Sequence, residues 1–255
     1  MKSVKKFYNT SGWKLDSGKN TKDACLWEDL RECAREYVSF CRIKIIKHLS
    51  ENKKGIMLDF ASGPIQYKEY MQYSKNFKKR YCVDFSKDAL KQAKIKLGKK
   101  GMYFCKDFAK INFKENFFDC SLSMHTLYHI KQKQQKHIVR KLIKVTKKNS
   151  NIIIVYSNPN NIWSKINFFF KNNKKIVKKN LYFFAHNLQW WDQFNDDCFV
   201  TITCWRSLPS NLTKKIFPNN FIGMFMFKIF IFLEKNLPKI MCFLGTHPMI
   251  ILKKK

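Results

Sequence analysis

Acidic residues are what this chain has least of. Its 255 residues carry 18 Asp and Glu against 50 Lys and Arg, a formal net charge of +32, and Cys120 to Trp191 contains no acidic residue. A charge of that size ordinarily points to a polyanionic partner. Arginine is scarce too, however. Only six of those 50 are Arg, and Arg supplies the planar fork that phosphates and bases require. The lysines come with many Asn, Ile, Phe and Tyr, all residues of A/T-rich codons. Base composition of the gene is the simpler explanation of the charge, and nucleic acid is not the expected partner.

Other absences narrow the field further. Nine cysteines form no Cys-x-x-Cys pair, and Cys and His do not cluster at ligand spacing, so neither a disulfide framework nor a metal site is expected. Cys82, Cys105, Cys120 and Cys204 fall inside apolar runs, where a thiol behaves as a small hydrophobe; reduced thiols in a cytoplasmic protein are the expectation. The N-terminus has charge but no apolar leader, so it is not read as a signal peptide. No apolar run is long enough to span a bilayer. The longest, Phe221 to Leu233, is broken by Lys228. It is expected to be a buried, core-facing helix, with a helix lying in a membrane interface as the alternative, which leaves peripheral membrane contact open.

What is present is organised around residues 55–65, GIMLDFASGPI. Ile56, Met57, Leu58 and Phe60 make the short apolar run of a strand buried on both faces, ending in a carboxylate, small residues, Gly63 and Pro64. A parallel strand that runs into small residues and then a helix lets backbone approach a ligand closely, with Asp59 placed to accept hydrogen bonds. Arg80 to Asp84 is a second strand, with Ser86 as the cap of the helix behind it. Asp84 lies where the acidic residue after a second strand reaches ribose hydroxyls in a doubly wound sheet. Gly101 to Cys105 and Phe117 to Met124 are a third and a fourth strand, ending at Lys106-Asp107-Phe108 and at His125.

LDFASGP, VDFS, KDF, FFDCSLSMHTLYHI and LIKVTKKNSNIIIVYSNP resemble, in order, the motifs of the class I S-adenosylmethionine-dependent methyltransferases, in particular the small-molecule branch called type 11. The resemblance covers residues 55 to about 157. It implies an α/β, doubly wound Rossmann-like sheet, mostly parallel with an antiparallel last strand, preceded by a helix and carrying a helical insertion near the C-terminus. It also implies S-adenosylmethionine as cofactor, held by Asp59, Ala61, Ser62, Gly63, Asp84, Phe85, Asp107 and Phe108, and a small-molecule, sugar- or lipid-linked methyl acceptor. Ala61 and Ile65 stand where the family has glycines. The expectation is that the turn at Ile65 avoids positive φ. Those two departures and the basic charge motivate the alternative of a non-catalytic or RNA-associated protein that keeps the fold.

Methyl transfer from a sulfonium is an in-line displacement that needs positioning, exclusion of water and, for a hydroxyl acceptor, removal of a proton. His125, ending the fourth strand, is the candidate general base. Tyr128, with Tyr8 and Trp13 of an N-terminal arm and His186 and Trp190 of the insertion, are candidates for the substrate pocket wall. Residues 1–22 are expected to form an extended arm, 23–158 the cofactor-binding core, and 159–255 the insertion and the strands completing the same sheet. Apolar positions from Leu26 to Leu49 recur at three- and four-residue steps, which predicts one amphipathic helix from Lys22 to Leu49 capped by Thr21. Oligomeric state is not legible.

Overall fold

The computed structural model describes residues 2–16, 20–49, 55–169 and 181–255. Residues 17–19 of the expected arm and 170–180 of the insertion lie outside the described residues. The apolar runs become strands β1 (Ile56–Phe60), β2 (Lys79–Asp84), β3 (Gly101–Cys105), β4 (Phe118–Met124), β5 (Thr146–Val155), β6 (Cys198–Arg206) and β7 (His247–Lys254). They form one sheet in the order β3-β2-β1-β4-β5-β7-β6. The pairings among β1 to β5 are parallel, and β7 runs antiparallel to β5 on one side and β6 on the other. This is the doubly wound, mostly parallel sheet that the sequence implies.

Ten α-helices are assigned among the described residues: α1 (Lys2–Phe7), α2 (Lys22–Trp27), α3 (Arg35–Ile43), α4 (Lys68–Gln72), α5 (Lys87–Leu97), α6 (Gln132–Val145), α7 (Ile162–Phe169), α8 (Ser210–Ile216), α9 (Phe221–Asn236) and α10 (Pro238–Leu244). Alternation along the strands divides the core. Met57, Ile153, Val155, Met249 and Ile251 pack with Tyr37, Val38 and Cys41 of α3 and with Phe227 and Ile231 of α9. Leu58, Ile152, Ile154, Ile250 and Leu252 face the other way, onto Ile138, Val139 and Leu142 of α6 and onto Trp191 and Phe194. Each such side chain contributes about 1.5–3 kcal/mol by leaving water.

Three expectations about helices are corrected. Lys22–Leu49 is not one helix: α2 ends at Trp27, and α3 begins only at Arg35 after a short 3₁₀ turn, Glu32–Ala34. The break coincides with polar contacts, some of them to residues far along the chain. Arg31 grips both carboxylate oxygens of Asp29 and donates to the carbonyls of Thr213 and Phe217, while Glu28 is drawn onto Arg206 at 2.8 Å. Thr21 does cap α2, accepting the N–H of Ala24.

The N-terminal arm is not extended; it is α1 followed by a wide helical turn, Tyr8–Gly12. Nor is Phe221 to Leu233 buried. Helix α9 buries Gly223, Phe227, Ile231 and Glu234 and turns most of its other large apolar residues outward. Glu234 is held by Lys44, the Tyr37 hydroxyl and Ser207.

Candidate functional site

The turn after β1 carries three residues at positive φ, Ala61 at 59°, Gly63 at 58° and Ile65 at 51°. The expectation that Ile65 avoids this region is wrong. A left-handed β-branched residue is strained by about 1–2 kcal/mol. Ile65 is 1% exposed and packs with Cys82, Leu90, Ala93 and Leu97, burial worth about 1.5–3 kcal/mol. Lys96 donates to the carbonyls of Pro64 and Ile65 at 3.0 and 2.9 Å and pins the turn. The turn therefore holds three left-handed residues with a single glycine among them. Gly63 has a second reason to be glycine, since a Cβ there would come within 3.1 Å of the Trp13 ring.

Asp84 ends β2 and closes this loop. Its carboxylate accepts the N–H of Gly63 at 2.9 Å and that of Ser86 at 2.8 Å, and Ser86 in turn caps α5 by accepting the N–H of Ala89. Burial pushes the Asp84 carboxyl up to about 6, against the pull of those two backbone donors. No cation pairs with it among the described ion pairs. Asp59 is different: Arg80 Nε and Nη2 donate to its Oδ2 at 2.9 and 2.5 Å, so one of its oxygens is committed to tying β1 to β2. Asp107 caps the turn after β3 by accepting the N–H of Ala109, and Phe108 lies 4.7 Å from Phe60, ring to ring.

His125 ends β4 with φ at 53°, its N–H donating to the Val155 carbonyl. Its ring meets Trp205 at 4.6 Å and His247 at 5.1 Å, both edge-on. Burial, helped by the Arg206 charge, pushes the imidazole down to about 3, and His247 falls for the same reasons, with the addition of His125 itself. Arg206 donates to Glu28 and to Ser210, while its buried Nε has no partner. Two neutral imidazoles and a guanidinium thus meet below the ends of β4, β6 and β7.

These two groups share one cavity of about 460 Å³. Asp59, Ala61, Ser62, Gly63, Asp84, Phe85, Asp107, Phe108, His125, Tyr128, Tyr8 and Trp13 all line it. Tyr8 stacks on Trp13 at 4.8 Å and donates to Asp23 at 3.0 Å, and the Trp13 ring lies over Gly63 in the turn after β1. His186 and Trp190 do not reach the cavity. They stack on each other at 4.3 Å; Trp190 belongs to the turn Leu188–Phe194, which packs against the sheet through Trp191 and Phe194. Sequence reasoning missed Glu28, Arg206 and His247 as cavity residues. Their signal was weak: Arg206 is one of six arginines and closes a strand, but nothing local shows which glutamate it meets.

The residues fit a nucleoside cofactor on a structural test. A half-buried carboxylate at a strand end, with only backbone N–H donors on it and facing a cavity, is suited to accept a pair of ribose hydroxyls. Phe85 and Phe108 supply the flat apolar walls that a purine ring needs. Among the described residues no group of three or more His, Cys, Asp or Glu is arranged to hold a metal, and none of the nine cysteines is in a disulfide.

Comparison with known proteins agrees with this geometry. Residues 58–154 match a family model described as a methyltransferase domain. Among solved structures, the chain resembles magnesium protoporphyrin IX methyltransferase from Synechocystis PCC 6803 with bound S-adenosylhomocysteine (TM-score 0.60, 10% identity, 99% of this chain and 98% of that one). It also resembles the DhpI complex with S-adenosylhomocysteine (TM-score 0.59, 8% identity, 98% and 95%) and an S-adenosylmethionine-dependent methyltransferase from Archaeoglobus fulgidus (TM-score 0.52, 19% identity, 86% and 94%). No curated protein sequence matches the chain.

Proposed function

We propose that this chain, an S-adenosylmethionine-dependent methyltransferase whose family domain spans residues 58–154, transfers a methyl group to a small-molecule, sugar- or lipid-linked acceptor. The observation that carries the reading is the two-part cavity. Asp84, Phe85, Asp107 and Phe108 line one part, and His125, His247, Arg206 and Tyr128 line the other. The parts meet where the strand order reverses between β1 and β4, the crevice in which doubly wound sheets receive ligands. The relatives in the solved structures include one that acts on magnesium protoporphyrin IX, which is compatible with a small acceptor.

When bound, the cofactor supplies an activated methyl group on a sulfonium. The chain's own contribution is then positional. Asp84 and the Gly63 turn hold the nucleoside end; the Tyr8–Trp13 stack covers the loop and keeps water out. His125 is neutral and lies where an acceptor hydroxyl or amine would enter, so it can accept that hydrogen bond and orient a lone pair toward the methyl carbon. Burial pushes the imidazole down to about 3 and so keeps it neutral, which suits it to accept a hydrogen bond.

The RNA-associated alternative draws little support. The turn keeps its left-handed residues despite Ala61 and Ile65, and Arg31, Arg42, Arg80 and Arg206 sit in internal ion pairs instead of presenting forks to phosphates. S-adenosylhomocysteine should raise the melting temperature of the protein, and Asp84→Ala should abolish that rise. Mass spectrometry of cells expressing the protein should reveal a metabolite heavier by one methyl group. Absence of any cofactor binding by calorimetry would sink the reading.

A further inference from the structure

Helix α9 presents two opposite stripes. Gly223, Phe227, Ile231 and Glu234 are buried against the body. Around the other side Phe221 is 77% exposed, Phe225 64%, Ile229 44% and Phe232 64%, and α10 continues the surface with Ile240 at 54% and Phe243 at 69%. The outward positions recur at four, eight and eleven residues from Phe221, which is one helical face. A contiguous apolar surface of this kind on a folded protein is an interaction site.

We infer that this face of α9 and α10 seats the protein on an anionic lipid surface. Charge selects that occupant. Lys228, Lys235 and Lys239 are exposed on the same two helices, and from Ser207 to Lys255 the sequence has a single acidic residue, Glu234, which is buried against Lys44 and Tyr37. On the neighbouring 3₁₀ turn Glu32 is already paired with Arg35 at 2.6 Å. Large apolar side chains with lysines between them, on two helices whose single carboxylate, Glu234, is buried, match the acyl boundary and headgroups of an anionic leaflet. A second copy of the chain is a poor occupant, because a face-to-face contact would bring the same lysines together.

The helix lies on the membrane rather than crossing it. At 16 residues and a rise of about 1.5 Å per residue it is about 24 Å long, shorter than a hydrocarbon core of about 30 Å, and among the described residues no helix is long and apolar enough to span. The surface is independent of the cofactor cavity, so the two assignments can fail separately.

Co-sedimentation of the purified full chain with vesicles tests it. The chain should sediment with vesicles of phosphatidylcholine mixed with phosphatidylserine, less so at high salt, and weakly with phosphatidylcholine alone. Phe225→Ser combined with Phe232→Ser should lower vesicle affinity about tenfold or more, with the melting temperature and the response to S-adenosylhomocysteine unchanged, since both side chains point outward. The inference is overturned if the wild type stays in solution with the anionic vesicles, or if the double variant sediments as well as the wild type. It is equally overturned if light scattering finds a dimer that these substitutions split while neither form binds vesicles.

Discussion

The carboxylate of Asp84 accepts the backbone N–H of Gly63 at 2.9 Å across a sequence separation of 21 residues. That bond ties the end of β2 to the turn after β1, so the residue proposed to meet the ribose and the turn proposed to meet the rest of the cofactor are held as one piece. Arg80 and Asp59 make a second tie between the same strands one turn of pleat earlier. The cofactor half of the cavity is therefore preorganised before anything binds, which lowers the ordering cost that binding must overcome.

Cofactor affinity should depend on pH through Asp84. Its carboxyl is pushed up to about 6 by burial, so the ionised acceptor of hydroxyl hydrogen bonds is lost as pH falls through that value. Calorimetry should find S-adenosylhomocysteine affinity falling about tenfold per pH unit below the transition. Asp84→Asn should bind more weakly throughout and lose the dependence; a wild-type profile flat down to about pH 5 would refute this. The linked effect on stability has the opposite sign to an ordinary salt-bridged Asp. A raised carboxyl costs the empty fold stability above its own pKa, and the cost disappears as the pH is lowered.

His125→Ala should leave cofactor affinity within a few-fold of wild type and reduce turnover by about a hundredfold. Because the ring is neutral well below pH 6, the wild-type rate between about pH 6 and pH 8 should carry no ionisation from His125. Steady-state kinetics with the acceptor, run beside a binding titration, separates the two effects. Loss of cofactor binding or of folding in the variant would make His125 a structural residue.

Ala61→Gly and Ile65→Gly should move stability in opposite directions. Both positions have positive φ, so glycine relieves about 1–2 kcal/mol of strain at each. At Ala61 little packing is lost, and the melting temperature should rise by about 2–4 °C. At Ile65 the buried side chain is lost with it, about 2–5 kcal/mol for a cavity-forming change, so the variant should melt lower. Thermal unfolding followed by circular dichroism decides, and a rise for Ile65→Gly would show that strain dominates packing there.

The first five strands and α6 were legible because their residues announce themselves locally: apolar runs bounded by Asp84, Asp107 or His125, and a three-and-four spacing in Ile138, Leu142 and Ile143. Sheet order and the antiparallel last strand came from the family resemblance, not from periodicity. What failed depends on partners distant in sequence. The break between α2 and α3 coincides with bonds from Arg31 to Thr213 and Phe217, over 180 residues away. The left-handed Ile65 needs Lys96 and the α5 face. His186 and Trp190 looked like pocket aromatics, yet stack with each other because Trp191 and Phe194 take the core side of their turn. Between Phe221 and Leu233 the outward face of α9 has no polar residue but Lys228 to mark it, so apolar content alone suggested burial.

β7 follows β6 in the chain but lies between β6 and β5. A polypeptide made from its N-terminus can therefore zip β1 to β5 while synthesis continues, whereas β6, already translated, has no neighbour to join until residues 247–254 arrive. During that interval β5 is an open edge of bare N–H and C=O groups beside the apolar α9 segment, the combination most prone to pairing with the wrong chain. From that strand order the yield of folded protein is expected to respond to the pace of translation through residues 207–246.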